Sequence, residues 1–551
     1  MKGRIAILAV LVCLAGVCVI ASSIAQSSSD QAVSTARTSI PAPAAAPRQL
    51  KQVAYLKASN AEAGDHFGNG GTLDGHAVAI SADGNTIAIG ATNESGGAQG
   101  INGNQKDNSL YSSGAVYVFT RRGNAWAQQA YLKASNPGQS DNFGYVVALS
   151  RDGNTLAVSA YFEASAATGI NSNQKDDSIP QAGAVYVFTR HGAVWSQQAY
   201  IKASNTGEAG VGDAIGDGDQ FGFSLALSQD GNTLAVGAIA EDSAAAGINV
   251  NDFQKDYSQI SSGAVYVFTR TGAQWTQQAY IKAANSGPND LFGYSLALSA
   301  DGNILAAGAF DEGGSPRVPN GIPDNRRGGA GAVYVFERTG AAWRQRDYVK
   351  GSRSEGADSM GVSVALSADG NTLAAGVLDE DCAATGVNPP GCDDDRESDQ
   401  SSGAVYVWVR NGNNWTEQAF LKASNTGKED SFGSRLTLSG DGNTLAVGAQ
   451  LENGNSQGIN GKQDDPSAED SGALYLFTRS GATWSQQAYV KGSNTEAFDE
   501  FGSAMALSAD GTILVVGARG EDSAAKGVNG NQADNSADEA GAAYVFINTN
   551  N

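Results

Sequence analysis

The sequence predicts an all-β chain closed into a seven-bladed β-propeller of four-stranded antiparallel blades, and three observations support that expectation. One unit recurs seven times, marked by an Asp-Gly turn at Asp83, Asp152, Asp230, Asp301, Asp369, Asp441 and Asp510. Its period of about 70 residues is longer than common solenoid repeats and fits one multi-stranded blade. Each unit contains four short runs of strand-forming residues divided by turn residues. The last unit stops at A-A-Y-V-F-I-N, one strand short, while a surplus copy of the missing strand, V-A-Y-L-K-A-S, precedes the first unit at 53–59. Pairing the two closes a ring, whereas an open array would need polar capping repeats.

Taken in order, the chain opens on a processing signal. Lys2 and Arg4 precede an apolar run from Ile5 to Ile20, and Ser23 and Ala25 place small residues where a signal peptidase reads. Residues 1–25 therefore read as a signal peptide, with a retained membrane anchor as the alternative. Cys13 and Cys18 each follow a Val, where a lipid-attachment motif needs a small residue. Residues 26–48 are Ser, Ala and Pro without periodicity, a disordered linker. Residues 49–547 form the propeller. No second apolar span follows, so we expect an extracytoplasmic protein (secreted, periplasmic or cell-surface) with no stable membrane span, and a monomer.

Within the unit at 141–205, the first strand is F-G-Y-V-V-A-L-S, ended by D-G-N, where Asp and Gly supply a tight reversal. The second, T-L-A-V-S-A, is a short apolar run of the kind buried on both faces. The third, G-A-V-Y-V-F-T-R, is rich in Val, Tyr and Phe. The fourth, W-S-Q-Q-A-Y-I-K-A, has the polar content of an outer edge that must resist pairing with other chains. Departures from the unit are expected to loop out: Gly71 to His76 in the first repeat, a longer entry to the third, and the stretch with Pro316, Pro319 and Pro323 in the fourth. In the fifth, Met360 and Trp408 stand where other repeats have Phe.

A formal charge of −22 argues against nucleic acid, whose phosphates demand a basic surface. It also disfavours direct docking on anionic lipid. Cys382 and Cys392 share one loop with Pro389, Pro390 and Gly391 between them. That spacing reads as a local disulfide in an oxidising compartment, with two free thiols as the alternative. Zinc is disfavoured, since no His or further Cys is near in sequence.

Asp-x-Phe-Gly, a small-residue strand ending in Gly-Ala, and then G-x-V-Y-V-F resemble the FG-GAP repeats of integrin α-subunit propellers, most of all their secreted bacterial versions. The resemblance covers 49–547 and includes Phe143-Gly144, Phe221-Gly222, Gly90-Ala91 and Gly237-Ala238. It implies a propeller that binds partners through its loops. Two departures stand out. The Pro of G-A-P is replaced by Thr92, Ile239, Phe310, Gln450 and Arg519, and the family's calcium loop between the first two strands is reduced to D-G-N.

In an up-down meander the second-to-third loops and the blade connections share one face, and here they are the long, acidic ones. Five of these loops echo G-I-N-x-N, which sets Asn and Asp oxygens at alternating positions as a hard cation such as calcium uses them. The candidate ligands are Asn102, Asn104 and Asp107; Asn171, Asn173 and Asp176; and Asn529, Asn531 and Asp534. Glu94, Glu163 or Glu521 would complete the shell. The competing reading is that these residues shape Asx turns. The repeated Asp before Phe-Gly, as at Asp141 and Asp430, reads as a cap on backbone amides. The repeated Trp126, Trp195, Trp275, Trp343, Trp415 and Trp484 either stack on sugars or pack neighbouring blades.

No catalytic residues are assigned. His66, His76 and His191 do not recur, and no nucleophile elbow or zinc-protease motif is present. The functional expectation is a non-enzymatic binding or adhesion propeller that presents an acidic loop face to a protein or glycan, with calcium as a possible cofactor. The alternatives are an extracytoplasmic hydrolase or lyase on the same scaffold, and a structural envelope module.

Overall fold

The computed structural model describes residues 49–549 apart from 70–74, 208–217, 250–256, 315–327, 355, 393–400 and 413. The signal peptide and linker expected over 1–48 lie outside the described residues. So do most of the Gly71 to His76 departure, the core of the third repeat's entry loop, and Pro316, Pro319 and Pro323.

Seven four-stranded antiparallel sheets make up the described chain. In the second blade they are β6 (Val147–Leu149), β7 (Thr155–Ala160), β8 (Ala184–His191) and β9 (Val194–Ile201), in that order across the sheet. The first strands of consecutive blades touch around a full circle, the last blade's meeting the first blade's. The seventh blade is completed from the other end of the chain: β1 (Gln49–Leu56) pairs antiparallel with β28 (Ala542–Thr549), from Gln49 opposite Thr549 to Leu56 opposite Ala543.

Blade contacts explain the repeated motifs. The second strands, such as β7, are buried at every residue because blades cover both their faces. Neighbouring blades come closest where the Gly of Gly-Ala meets the Gly of the next Phe-Gly. A Cβ on Gly90 would lie 2.0 Å from the Gly144 carbonyl oxygen, and Gly144 itself has φ +101°. Only Gly fits at either place. The Phe of each pair packs edge-on to its blade's third strand, as Phe143 does against Tyr186 at 5.3 Å. In the fifth blade Met360 takes that site, and Trp408 stacks on Tyr406 at 5.5 Å.

Four of the six repeated Trp residues, Trp195, Trp275, Trp343 and Trp484, join blades through Nε1. Trp195 is buried and donates from Nε1 to Gln129 of the preceding blade at 3.0 Å. Arg190 lies over the Trp195 ring and donates to Gln129 and to Thr86 of that blade. The same latch joins the second blade to the third through Arg270, the third to the fourth through Arg338, and the fifth to the sixth through Arg479.

On the short-turn face the Asp-Gly turns form a ring around the axis. In the first six blades the residue before the Asp donates its amide to the carbonyl of its counterpart in the next blade, from Ala82 to Arg151 (3.0 Å) and on through Gln229, Ala300, Ala368 and Gly440 to Ala509. Each Asp serves its own turn. Asp83 accepts from Ser81 Oγ, from the Asn85 amide and from Asn85 Nδ2.

Candidate functional site

Each blade has one buried charged node that the sequence reading missed. In the first blade, Lys133 Nζ lies 2.8 Å from Glu94 Oε2 and 2.7 Å from Ser113 Oγ. Tyr131 donates to Glu94 Oε1 at 2.8 Å, as does Asn60 at 3.1 Å, while Tyr117 donates to Asn60 at 2.6 Å. Buried pairs of this kind recur as Glu163–Lys202, Glu241–Lys282, Glu312–Lys350, Glu380–Lys422, Glu452–Lys491 and Glu521–Lys57. Burial pulls the Lys133 ammonium down from its ordinary value, and Glu94 works against that shift. Glu94, Glu163 and Glu521, offered above as helpers of a calcium ion, are thus bonded to buried lysines. The legible signal was the Lys of K-A-S-N recurring with a Glu just after Gly-Ala; their separation along the chain hid the pairing.

The Asp before each Phe-Gly sits beside this node and caps a turn, Asp141 accepting from the Gly138 amide at 2.6 Å and Asp430 from Gly427 at 2.7 Å. Burial pushes both carboxyls up to about 7.

The candidate calcium ligands serve their own loops. Asn102, Asn171 and Asn529 have φ near +55° and accept, through Oδ1, the amides of Tyr131, Tyr200 and Tyr55 at 3.0 Å. Each also pins its loop to the blade's fourth strand, bridging Ile101 to Leu132 and Ile170 to Ile201. That covers part of an open sheet edge. Asn104, Asn173 and Asn531 accept the amides of Lys106, Lys175 and Ala533, as Asx turns do. Asp107, Asp176 and Asp534 likewise accept the amides of Ser109, Ser178 and Ser536. Among the described residues, the one cluster of three His, Cys, Asp or Glu ligand atoms is Glu380 with Cys382 and Cys392. Its sulfurs are joined in a disulfide whose Cα atoms stand 5.3 Å apart.

A cavity of about 830 Å³ is lined by the residues that follow Gly-Ala and Phe-Gly. It therefore lies on the long-loop face, where the second strands end and the first begin. One wall is an unbroken aromatic arc: Phe162 to Tyr161 (3.9 Å between ring centres), Tyr161 to Tyr145 (4.0 Å), Tyr145 to Phe223 (5.6 Å), Phe223 to Tyr294 (5.1 Å) and Tyr294 to Phe310 (4.6 Å). The rest of the lining includes Ser431, Ser434, Gln450, Glu500 and Arg519. Arg519 holds Glu500 at 2.8 Å. Burial pushes the Glu500 carboxyl up, and Arg519 offsets part of that shift. Ile239, Phe310, Gln450 and Arg519, which replace the family's Pro, all face this cavity.

A second cavity, of about 850 Å³, is lined by Asp290, Asp311, Asp358, Asp379 and Asp381 at the fourth and fifth blades. Burial pushes Asp290 up to about 7 and raises Asp311 and Asp379.

Comparison with curated proteins gives no match. Among solved structures, the chain is similar to a protein assigned as a 6-phosphogluconolactonase from Bacteroides uniformis (TM-score 0.43, 11% identity, 77% of this chain and 87% of that one). It is also similar to the periplasmic gluconolactonase PpgL of Pseudomonas aeruginosa (0.43, 13%, 81% and 98%) and to a chain of the mitotic checkpoint complex (0.42, 12%, 97% and 99%). The FG-GAP repeat model matches residues 126–188, 275–336, 415–477 and 484–546, each running from a blade's outer strand into the third strand of the next. With the Gly-Gly contacts of that motif holding neighbouring blades together, the chain is an FG-GAP repeat protein.

Proposed function

We infer that this chain is an extracytoplasmic binding propeller that takes its ligand at the cavity on the long-loop face. The observation behind this reading is the asymmetry of that cavity. In the second to fourth blades the residue after Phe-Gly is aromatic (Tyr145, Phe223 and Tyr294) and the residue just after the second strand is Tyr161, Ile239 and Phe310, whereas the sixth and seventh blades bear Ser434, Ser503, Gln450 and Arg519 at these positions. The blade frame is the same throughout, so folding alone does not call for the difference. A concave site with apolar walls and a few convergent polar groups is the usual form of a ligand pocket. The disulfide and the leader-like residues at the N-terminus support a location outside the cytoplasm. Surface attachment or adhesion would be one use of such a site.

Soaking crystals with a library of small fragments tests the reading. Fragments are expected to collect against Tyr161, Tyr294 and Arg519; a library that fills other clefts and leaves this cavity empty overturns it.

A hydrolytic reading has one observation in its favour, the second cavity. Several carboxyls share this cleft, and burial raises Asp290, Asp311 and Asp379, which favours a protonated carboxyl of the kind a general acid needs. A screen of chromogenic glycosides and esters against the native protein and Asp379→Asn addresses it. Turnover that the variant loses would favour this reading; no turnover removes it.

A further inference from the structure

We propose that the aromatic cavity binds a neutral oligosaccharide, its sugar rings lying against the aromatic arc and its hydroxyls meeting the opposite wall. This rests on the cavity being the ligand site. The walls differ in chemistry as the two aspects of a pyranose do. Tyr161, Phe162, Tyr294 and Phe310 are each half-buried and line the cavity, so aromatic surface is open to an apolar C–H face, chiefly on Phe162, Tyr294 and Phe310, because Tyr161 is stacked between Phe162 and Tyr145. Opposite them, Arg519 and Gln450 supply donors and Glu500 and the Ser431 hydroxyl supply acceptors. Vicinal hydroxyls, which both donate and accept, suit such a mixed set.

Charge narrows the class. Glu500 and Arg519 are bonded at 2.8 Å, so they offset each other and leave no net charge in the cavity for an ionic ligand. A polyuronate would in addition approach a chain of formal charge −22. A basic peptide would need a free carboxylate, and Glu500, the one carboxylate among the described lining residues, is already committed. The volume, about 830 Å³, lies within the usual span of ligand pockets and is large enough for about two or three hexose rings.

The test is calorimetric titration of the full chain with a panel of neutral hexose and N-acetylhexosamine trisaccharides, with trigalacturonate and a Lys-rich peptide as comparators. At least one neutral trisaccharide is expected to bind, weakened about tenfold or more by Tyr294→Ala and by Arg519→Gln. If Tyr294→Ala unfolds, Phe162→Ala replaces it, since Phe162 sits at the end of the arc. No binding by any neutral trisaccharide overturns the proposal, as does binding that survives both variants, or tighter binding of either comparator at the same cavity. Fragments in the cavity without trisaccharide binding would remove the sugar and leave the binding site standing. An empty cavity in both experiments removes both.

Discussion

Lys133 Nζ lies 2.8 Å from Glu94 Oε2 with both side chains buried, and the Tyr131 hydroxyl completes the carboxylate. Removing one partner of such a pair strands a charge in a medium that solvates it poorly. Lys133→Met is expected to cost about 3–5 kcal/mol, read as a lower midpoint in urea or heat. The double variant Lys133→Met with Glu94→Gln, which removes both charges, should recover part of that loss. A single variant as stable as the parent would show that the node contributes little.

Acidification should stabilise the protein before it destabilises it. Burial pushes Asp65, Asp141, Asp290 and Asp430 up to about 7 and Asp499 to about 8. In the unfolded chain a carboxyl titrates near 4, so between these values the native state holds more protons. Stability then falls as pH rises from about 4 through 7–8. Asp83 works the other way. Partial burial pushes its carboxyl up, but bonds from Ser81 and Asn85 outweigh this, so its contribution is lost as pH falls through the lowered value. The thermal midpoint should be higher near pH 5.5 than near pH 8.5, with a flatter slope in Asp141→Asn. A midpoint that rises across that interval contradicts the assignment.

The Cys382–Cys392 bridge closes a loop with a sequence separation of 10. Loop-closure entropy for so short a ring is worth about 3 kcal/mol. Cys382→Ser with Cys392→Ser should lower the melting midpoint, and a reductant should shift the parent and leave the variant unmoved.

The inter-blade latch is missing on both sides of the seventh blade. Arg121 of the first blade bonds Asn85 of its own blade, and the places of Thr86 and Gln129 are taken in the seventh by Ile513 and Val53, which offer no acceptor. Toward the sixth blade, Asn548 stands in the Arg position. Amide exchange by mass spectrometry is therefore expected to be fastest, among outer strands, at Gln49–Leu56. Uniform protection of all seven would show that the latch does not govern opening.

Calcium is expected to leave the melting midpoint unchanged relative to chelator, because the Oδ1 atoms of Asn102, Asn104 and Asp107 already accept backbone amides. An upward shift on adding calcium would mean that the turns are also a cation site.

Much of the architecture was legible in the chain. The Asp-Gly spacing marks seven units, and alternating strand and turn chemistry marks four strands in each. The orphan strand at Val53 and the truncated last unit identify the closing pair, observed as β1 on β28. The site was legible only in part. The replacements at the Pro of G-A-P, among them Phe310 and Arg519, were visible as departures but not as neighbours. Asn102 and its counterparts drew attention because alternating oxygens look the same in a turn as in a cation loop.

Local patterning by itself determined the strands, the turns and the number of blades, because residues close in sequence decide which backbone shapes are cheap. Only the tertiary structure decided that Lys133 meets Glu94, or that Tyr161 and Arg519 line one cavity. Those meetings depend on where the closed ring brings distant loops together and on which side chains it removes from water. Periodicity along the chain does not encode that.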